Sequence, residues 1–191
     1  TFGTLNQRVI RLNQVELNKN YALVITTNSG LWRYLIGDTI RFTSLSPYRI
    51  KVTGRTKHHI NVFGEELMVE NTDAAIAKTC ALFDCEIVDY TVAPVFMSET
   101  QKGSHEWIIE FKNPPEDVEK FSMILDENIQ SLNSDYEAKR YNNMTLNPLV
   151  LNVARKNLFY DWLKQNDKLG GQHKIPRLSN DRNYLESLLN L

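Results

Sequence analysis

Three short clusters in this chain of 191 residues carry side chains that could act on a nucleotide. The first is Ile36, Gly37 and Asp38, placed after the run Leu31, Trp32, Arg33, Tyr34. A buried-strand pattern ending there delivers one carboxylate to a sheet edge, and Gly37 and Gly54 read as turn glycines. An aspartate at such a place could accept two hydroxyl hydrogen bonds from a ribose, each worth about 1.5 to 3 kcal/mol because the acceptor is charged. An aspartate in a Gly-Asp turn also caps a backbone amide, so both roles stand open for Asp38.

Sixteen residues after Asp38 comes the second cluster, Gly54, Arg55, Thr56 and Lys57. Arg55 could pair with Asp38, bind a phosphate, or fix the strand turn as a structural ion pair. Lys57 could be a hinge where a few backbone rotations swing a following domain, or a surface lysine in a turn. The third cluster runs from Gly170 through Gly171, Gln172, His173, Lys174, Ile175 and Pro176 to Arg177. Glycines give it reach on one side and Pro176 stiffens the other. A lysine ammonium about 4 Å from a phosphate oxygen gains roughly 4 kcal/mol at an effective dielectric near 20, enough to matter for a rate. The competing reading of Lys174 is a solvated loop lysine.

Other chemistries find little support. His58 and His59 are adjacent, so on a strand they face opposite sides and cannot chelate one ion together. With no third ligand at metal spacing, no protein-built metal site is expected. The chain has no Gly-x-Ser-x-Gly elbow, no nucleophilic cysteine context and no glycine-rich phosphate loop. Nucleotide chemistry here would therefore be half a site. Gly64, Glu65 and Glu66 read as a turn into a helix, where acidic groups are favourable with no catalytic role.

The elements that must position these residues change character at Gly54 to Lys57. Before it the chain is strand-like: Arg8 to Leu12, Tyr21 to Thr27, Leu31 to Ile36, Thr39 to Thr43 and Arg49 to Thr53. Five short strands predict an antiparallel sheet or small barrel that buries one face against something upstream. After it come a strand at Ile60 to Phe63, a helix from Asn71 or Thr72, and strands at Glu86 to Phe96 and His105 to Lys112. A strong amphipathic helix from Pro115 carries Phe121, Ile124, Leu125, Ile129, Leu132 and Tyr136 at helical spacing. A strand at Leu149 to Ala154, a short helix at Asn157 to Gln165 and a last helix at Asp181 to Leu189 follow. The fold class is thus α+β: an antiparallel β-subdomain over residues 1–55, then a small domain of β-α-β-β-α-β type with extra helices over residues 56–191. The basic, glycine-bearing tail from Leu169 to Arg177 reads as a mobile active-site arm.

Charge narrows the partners. With 22 Lys plus Arg against 23 Asp plus Glu, the net charge of -1 gives no general pull toward nucleic acid or anionic lipid. No apolar run approaches the roughly 20 residues of a spanning helix, so no membrane partner is expected. Only Cys80 and Cys85 occur, at no disulfide-framework or zinc spacing, which fits reduced thiols and a cytoplasmic setting. Beginning on Thr1 inside strand-like sequence, the chain reads as a fragment of a longer one.

The clusters together resemble the auxin-responsive Gretchen Hagen family of acyl acid amido synthetases, members of the adenylate-forming superfamily. Tyr21 to Thr27, then Gly30 to Tyr34 and Ile36 to Asp38, look like its third nucleotide motif, usually Tyr-Arg-x-Gly-Asp. Gln172 to Arg177 look like its Gln-Tyr-Lys-x-Pro-Arg tail. Leu35 stands where arginine is usual and His173 where tyrosine is usual; the Gly54 to Lys57 hinge with Gly64 and Glu65 looks more like the wider superfamily, which favours a microbial, bacterial branch. The resemblance implies activation of a small carboxylic acid with ATP and Mg2+ to an acyl-adenylate, then attack by an amine or amino acid. It implies nucleotide binding by Tyr34, Asp38 and Arg55, a pivot at Lys57, and a catalytic Lys174 that stabilises charge at the α-phosphate. The family's phosphate loop and acid pocket lie upstream of these motifs, so this stretch by itself is expected to be inactive. Two other readings remain: an acyl-CoA ligase with a thiol acceptor, and a non-catalytic ligand-binding or regulatory module.

Overall fold

The computed structural model describes residues 8–56, 59–170 and 174–191. The chain divides into two compact units, Thr1–Lys57 and His58–Leu191.

The first unit is a three-stranded antiparallel sheet of β1 (Asn20–Ile25), β2 (Tyr34–Leu45) and β3 (Tyr48–Arg55), with β2 in the centre. Two of the expected strands, 31–36 and 39–43, are thus largely one. The cause is Gly37, whose φ of +90° carries the backbone through a conformation that L side chains rarely adopt without ending the strand. Arg8 to Leu12 is not a strand; it runs into a 3-10 turn at Leu12–Gln14. Ile40 and Phe42 are buried, and Tyr21 and Tyr48 pack edge-on against the Phe42 ring at 6.0 Å.

The second unit opens with β4 (His59–Ile60) and β5 (Leu67–Met68), a short antiparallel pair. Then come α1 (Val69–Phe83), β6 (Glu86–Val95), β7 (Ser104–Asn113), α2 (Val118–Leu132), α3 (Ser134–Arg140), β8 (Val150–Val153), α4 (Leu158–Gln165) and α5 (Asn183–Leu189). β6 pairs antiparallel with β7, and β7 parallel with β8 across the α2–α3 crossover. The α+β class read from the sequence is the class observed. Its first strand departs from the pattern, since Ile60 to Phe63 shrinks to β4 and pairs with β5 instead of joining the main sheet. Beside β6 runs the tail instead: Leu178 bridges Val92 in parallel, Val92 N donates to Arg177 O at 2.8 Å, and Ser179 N donates to Val92 O at 3.1 Å.

Both faces of this sheet are covered. Tyr90, Val92, Trp107 and Ile109 face a core with Ile76 of α1 and Phe121, Leu125 and Ile129 of α2. The alternate positions Ala93 and Ile108 pack with Leu158, Phe159 and Trp162 of α4 and Leu185 and Leu188 of α5. Each such large side chain contributes about 1.5–3 kcal/mol by burial, on both faces of β6 and β7.

Caps settle the helix boundaries. Asp117 accepts a hydrogen bond from Lys120 N at 2.9 Å and starts α2. Asn133, at φ -143°, breaks the helical periodicity and accepts from Tyr136 N at 2.8 Å, so Tyr136 belongs to α3 rather than to one long helix. The buried Glu110 carboxylate accepts Asn157 N at 2.7 Å and Phe159 N at 3.3 Å, fixing the start of α4.

One close approach ties β7 to the β4–β5 turn. A Cβ added at Gly103 would lie 2.6 Å from two atoms of the Phe63 ring and 3.1 Å from Leu146 Cδ2. Gly103→Ala is therefore expected to cost about 1–3 kcal/mol through overpacking. A urea unfolding midpoint equal to that of the parent chain would contradict this close packing.

Candidate active site

In the first unit the β1–β2 register places Asp38. Ala22 stands opposite Thr39 and Val24 opposite Leu35, so a single residue of β1 spans Ile36, Gly37 and Asp38 of β2. Those three residues bulge from the ladder, a device that aims a side chain away from regular pairing. On the other side Asp38 stands opposite Arg55 and Thr39 opposite Gly54. Thr56 closes the arrangement: its N and its Oγ1 donate to Gly37 O at 2.8 and 3.2 Å. The nearest atom to a Cβ at Gly37 is Thr56 Oγ1 at 3.9 Å, so backbone conformation, not space, demands the glycine.

Asp38 is half-buried in the central strand and not at a sheet edge as the pattern implied. Tyr34 opens the same strand opposite Ile25 and is 51% exposed. The structure therefore puts Asp38, the Arg55 backbone and Tyr34 on neighbouring parts of one bulged sheet. Lys57, the expected pivot, lies outside the described residues, as does the Arg55 side chain.

In the second unit Lys174 is exposed and directly precedes buried chain. Ile175 is 5% exposed in the α4–α5 core, and Leu178 is fully buried in the α1–α2 core. The tail is thus anchored through both faces of the sheet, and its described part is a docked edge segment rather than the mobile arm read from its composition. Thr91 Oγ1 donates to Pro176 O at 2.7 Å. Arg177 Nη1 lies 2.7 and 2.6 Å from the two carboxylate oxygens of Asp73 on α1, and its guanidinium sits 5.2 Å over the Tyr90 ring. Tyr90 donates its hydroxyl to the same Asp73 at 2.6 Å.

Charge around Lys174 is shaped by Asp89 of β6. Burial pushes the Asp89 carboxyl above its usual range, against the opposing pull of the Tyr90 amide and the positive charges of Arg177 and Lys174. Burial and the hydrogen bond to Asp73 push the Tyr90 phenol up, so it acts as a neutral donor.

Sequence reasoning missed one feature. Glu65 does not sit on a solvated helix start: its side chain is fully buried, with Oε1 2.9 Å from His105 Nε2 and Oε2 accepting Phe63 N at 2.7 Å. Burial alone would raise its carboxyl, but the His105 hydrogen bond and charge with two backbone amides hold it below the ordinary glutamate range. The available signal was His105 itself, two and four residues before Trp107 and Ile109 and so on the same inward face of β7. Among the described residues, no group of three or more His, Cys, Asp or Glu could hold a metal ion. No described helix is long and apolar enough to cross a membrane.

Residues 3–55 match the GH3 family central domain and residues 70–183 the GH3 family C-terminal domain. The indole-3-acetic acid-amido synthetase GH3.3 of Arabidopsis thaliana is 26% identical over 189 residues, covering 91% of this chain and 31% of that protein. The jasmonoyl-L-amino acid synthetase GH3.5 of Oryza sativa subsp. japonica is 25% identical over 183 residues, with the same coverage of 91% and 31%. In structure the chain resembles the GH3.15 acyl acid amido synthetase, with a TM-score of 0.72 at 24% identity over 95% of this chain and 35% of that one. The chain spans about a third of the length of the curated relatives it matches. With a family domain matched on each side of residue 57, and more than half of the sequence within the second, the chain belongs to the GH3 family.

Proposed function

We propose that this chain is the C-terminal part of an ATP-dependent acyl acid amido synthetase. The observation that carries the reading is the order of the two family domains on one chain, with the Asp38 bulge in the first and the anchored Lys174 segment in the second. In the whole enzyme a carboxylate oxygen of the acid attacks the α-phosphorus of ATP, the α–β bond breaks, and pyrophosphate leaves. An amine then attacks the acyl carbon, losing a proton, and AMP departs with the carbon–oxygen electron pair. The first residue group, Asp38 with Tyr34 and Arg55, holds the nucleoside; the ribose hydroxyls donate to the Asp38 carboxylate. Lys174 meets charge growing at the α-phosphate, and Lys57 is the pivot between the two reactions. The acid is a small carboxylic acid and the acceptor an amine or amino acid.

The direct test is ATP–pyrophosphate exchange by the full-length protein against a panel of carboxylic acids, with the 191-residue chain as control. Acid-dependent exchange by the full-length protein alone is the expected result; no exchange with any acid would turn the reading toward a non-catalytic module. Product analysis with amino acids and with coenzyme A separates an amine from a thiol acceptor. In the same assay Asp38→Ala is expected to raise KM for ATP at least tenfold, the low end of what a single hydrogen bond to a charged acceptor contributes. An unchanged KM for ATP would remove Asp38 from the ribose.

A further inference from the structure

The Lys174 segment is held to its domain in two different ways. Its backbone joins β6 through Arg177 and Ser179, and Ile175 and Leu178 fill the two cores. These contacts fix where the segment runs but come from the sheet and its apolar fillings. A second link, ionic, reaches α1: Asp73 takes the Arg177 guanidinium on both oxygens while also accepting the Tyr90 hydroxyl, and Thr72 Oγ1 lies 2.7 Å from that same hydroxyl. Arg177 is thus fixed against α1 by charge and against β6 by the ring of Tyr90.

We infer that Asp73 and Arg177, braced by Tyr90, form a latch that sets the direction in which Lys174 leaves the sheet, making Asp73 and Arg177 positioning residues for the reaction. The inference rests on the assignment of Lys174 given above. Only Ile175 and Pro176 lie between Arg177 and Lys174, about 10 Å of extended chain from end to end, so how Arg177 is held bears on the angle at which this short stem presents the ammonium. A catalytic charge displaced by about 1 Å loses much of its rate advantage. The pair itself is nearly half exposed, 45% for Arg177 and 42% for Asp73, and an ion pair in that setting adds little to global stability. Its loss should register in the chemistry and not in the melting temperature. Asp89, 4.0 Å from Arg177 Nε, offers a second carboxylate but on the strand rather than on the helix, so it cannot replace the α1 side of the latch.

The experiment uses the full-length protein and separates the two half-reactions: ATP–pyrophosphate exchange, and aminolysis of chemically supplied acyl-adenylate. Asp73→Asn is expected to lower kcat for exchange about fivefold, with KM for ATP, the aminolysis rate and the melting temperature unchanged. The exchanged pair, Asp73→Arg with Arg177→Asp, is expected to recover part of the loss relative to either single variant. Exchange at the parent rate in Asp73→Asn, with Lys174→Ala slow, would overturn the latch alone. A fall in both half-reactions together with a lower melting temperature would also overturn it, by showing a structural role. If Lys174→Ala exchanges normally, the assignment beneath the latch fails and takes the latch with it.

Discussion

Lys174→Ala in the full-length protein is expected to slow acid-dependent pyrophosphate exchange at least tenfold, about 1.4 kcal/mol, while ATP binding stays close to normal. The size follows from where charge changes. A lysine about 4 Å from a phosphate oxygen gains roughly 4 kcal/mol at an effective dielectric near 20, but only the part that grows between bound ATP and the transition state speeds the reaction. The structure favours such a role because the side chain is exposed while the next residue is buried, so a charge in solvent sits at the end of a fixed stem. Removing the side chain at Cβ leaves Ile175 and Leu178 in their cores, so the melting temperature should not move. Lys174→Arg keeps the charge but replaces a compact ammonium with a planar fork, and should recover only part of the rate. Exchange by Lys174→Ala at the parent rate would remove Lys174 from the first half-reaction. A rise in KM for ATP at constant kcat would instead make it a ground-state binding group.

What the sequence made legible was local in origin. Helices α1, α2, α4 and α5 were legible in the sequence while α3 read as the end of α2, and the α+β class followed from their order among strand-like segments. Asp38 stood out because a glycine precedes it and strand-like residues flank it. Its bulge could not be read, because three residues of β2 facing one of β1 is a property of two strands in register. The same limit explains the tail. Ile175 and Leu178 do not by themselves announce a docked segment, yet β6 binds the backbone of Arg177 and Ser179 beside them and the two cores take their side chains. Asn133 is a third case, since a polar residue within an apolar period reads as a surface position until its backbone is seen to leave the helix and cap the next. Glu65 and His105 lie 40 residues apart, and burial of each is tolerable only through the other.

That mutual dependence makes Glu65→Ala the other large expected effect, a loss of about 3–5 kcal/mol of stability at neutral pH. The variant removes the acceptor for His105 Nε2 and for Phe63 N, and His105 Nδ1 has no hydrogen-bond partner among the described residues. A buried imidazole, stacked on Tyr136, would then lack a protein partner at both nitrogens. Replacing both partners, Glu65→Met with His105→Leu, should recover a good part of the loss, because an apolar pair has no polar group to strand. The pH dependence has a definite sign. Since the folded protein holds the Glu65 carboxyl below its ordinary value of 4.5, the unfolded chain binds the proton first as pH falls. The stabilisation is complete above that value and is lost as pH drops below it toward the depressed folded value. Urea midpoints of the parent chain and of Glu65→Gln should therefore converge on acidification below about pH 4.5 and separate again at neutral pH. Parallel curves would mean that the carboxylate charge contributes nothing at this site, and the pair would then be a neutral hydrogen bond that shapes the turn after residue 58 through Phe63 alone.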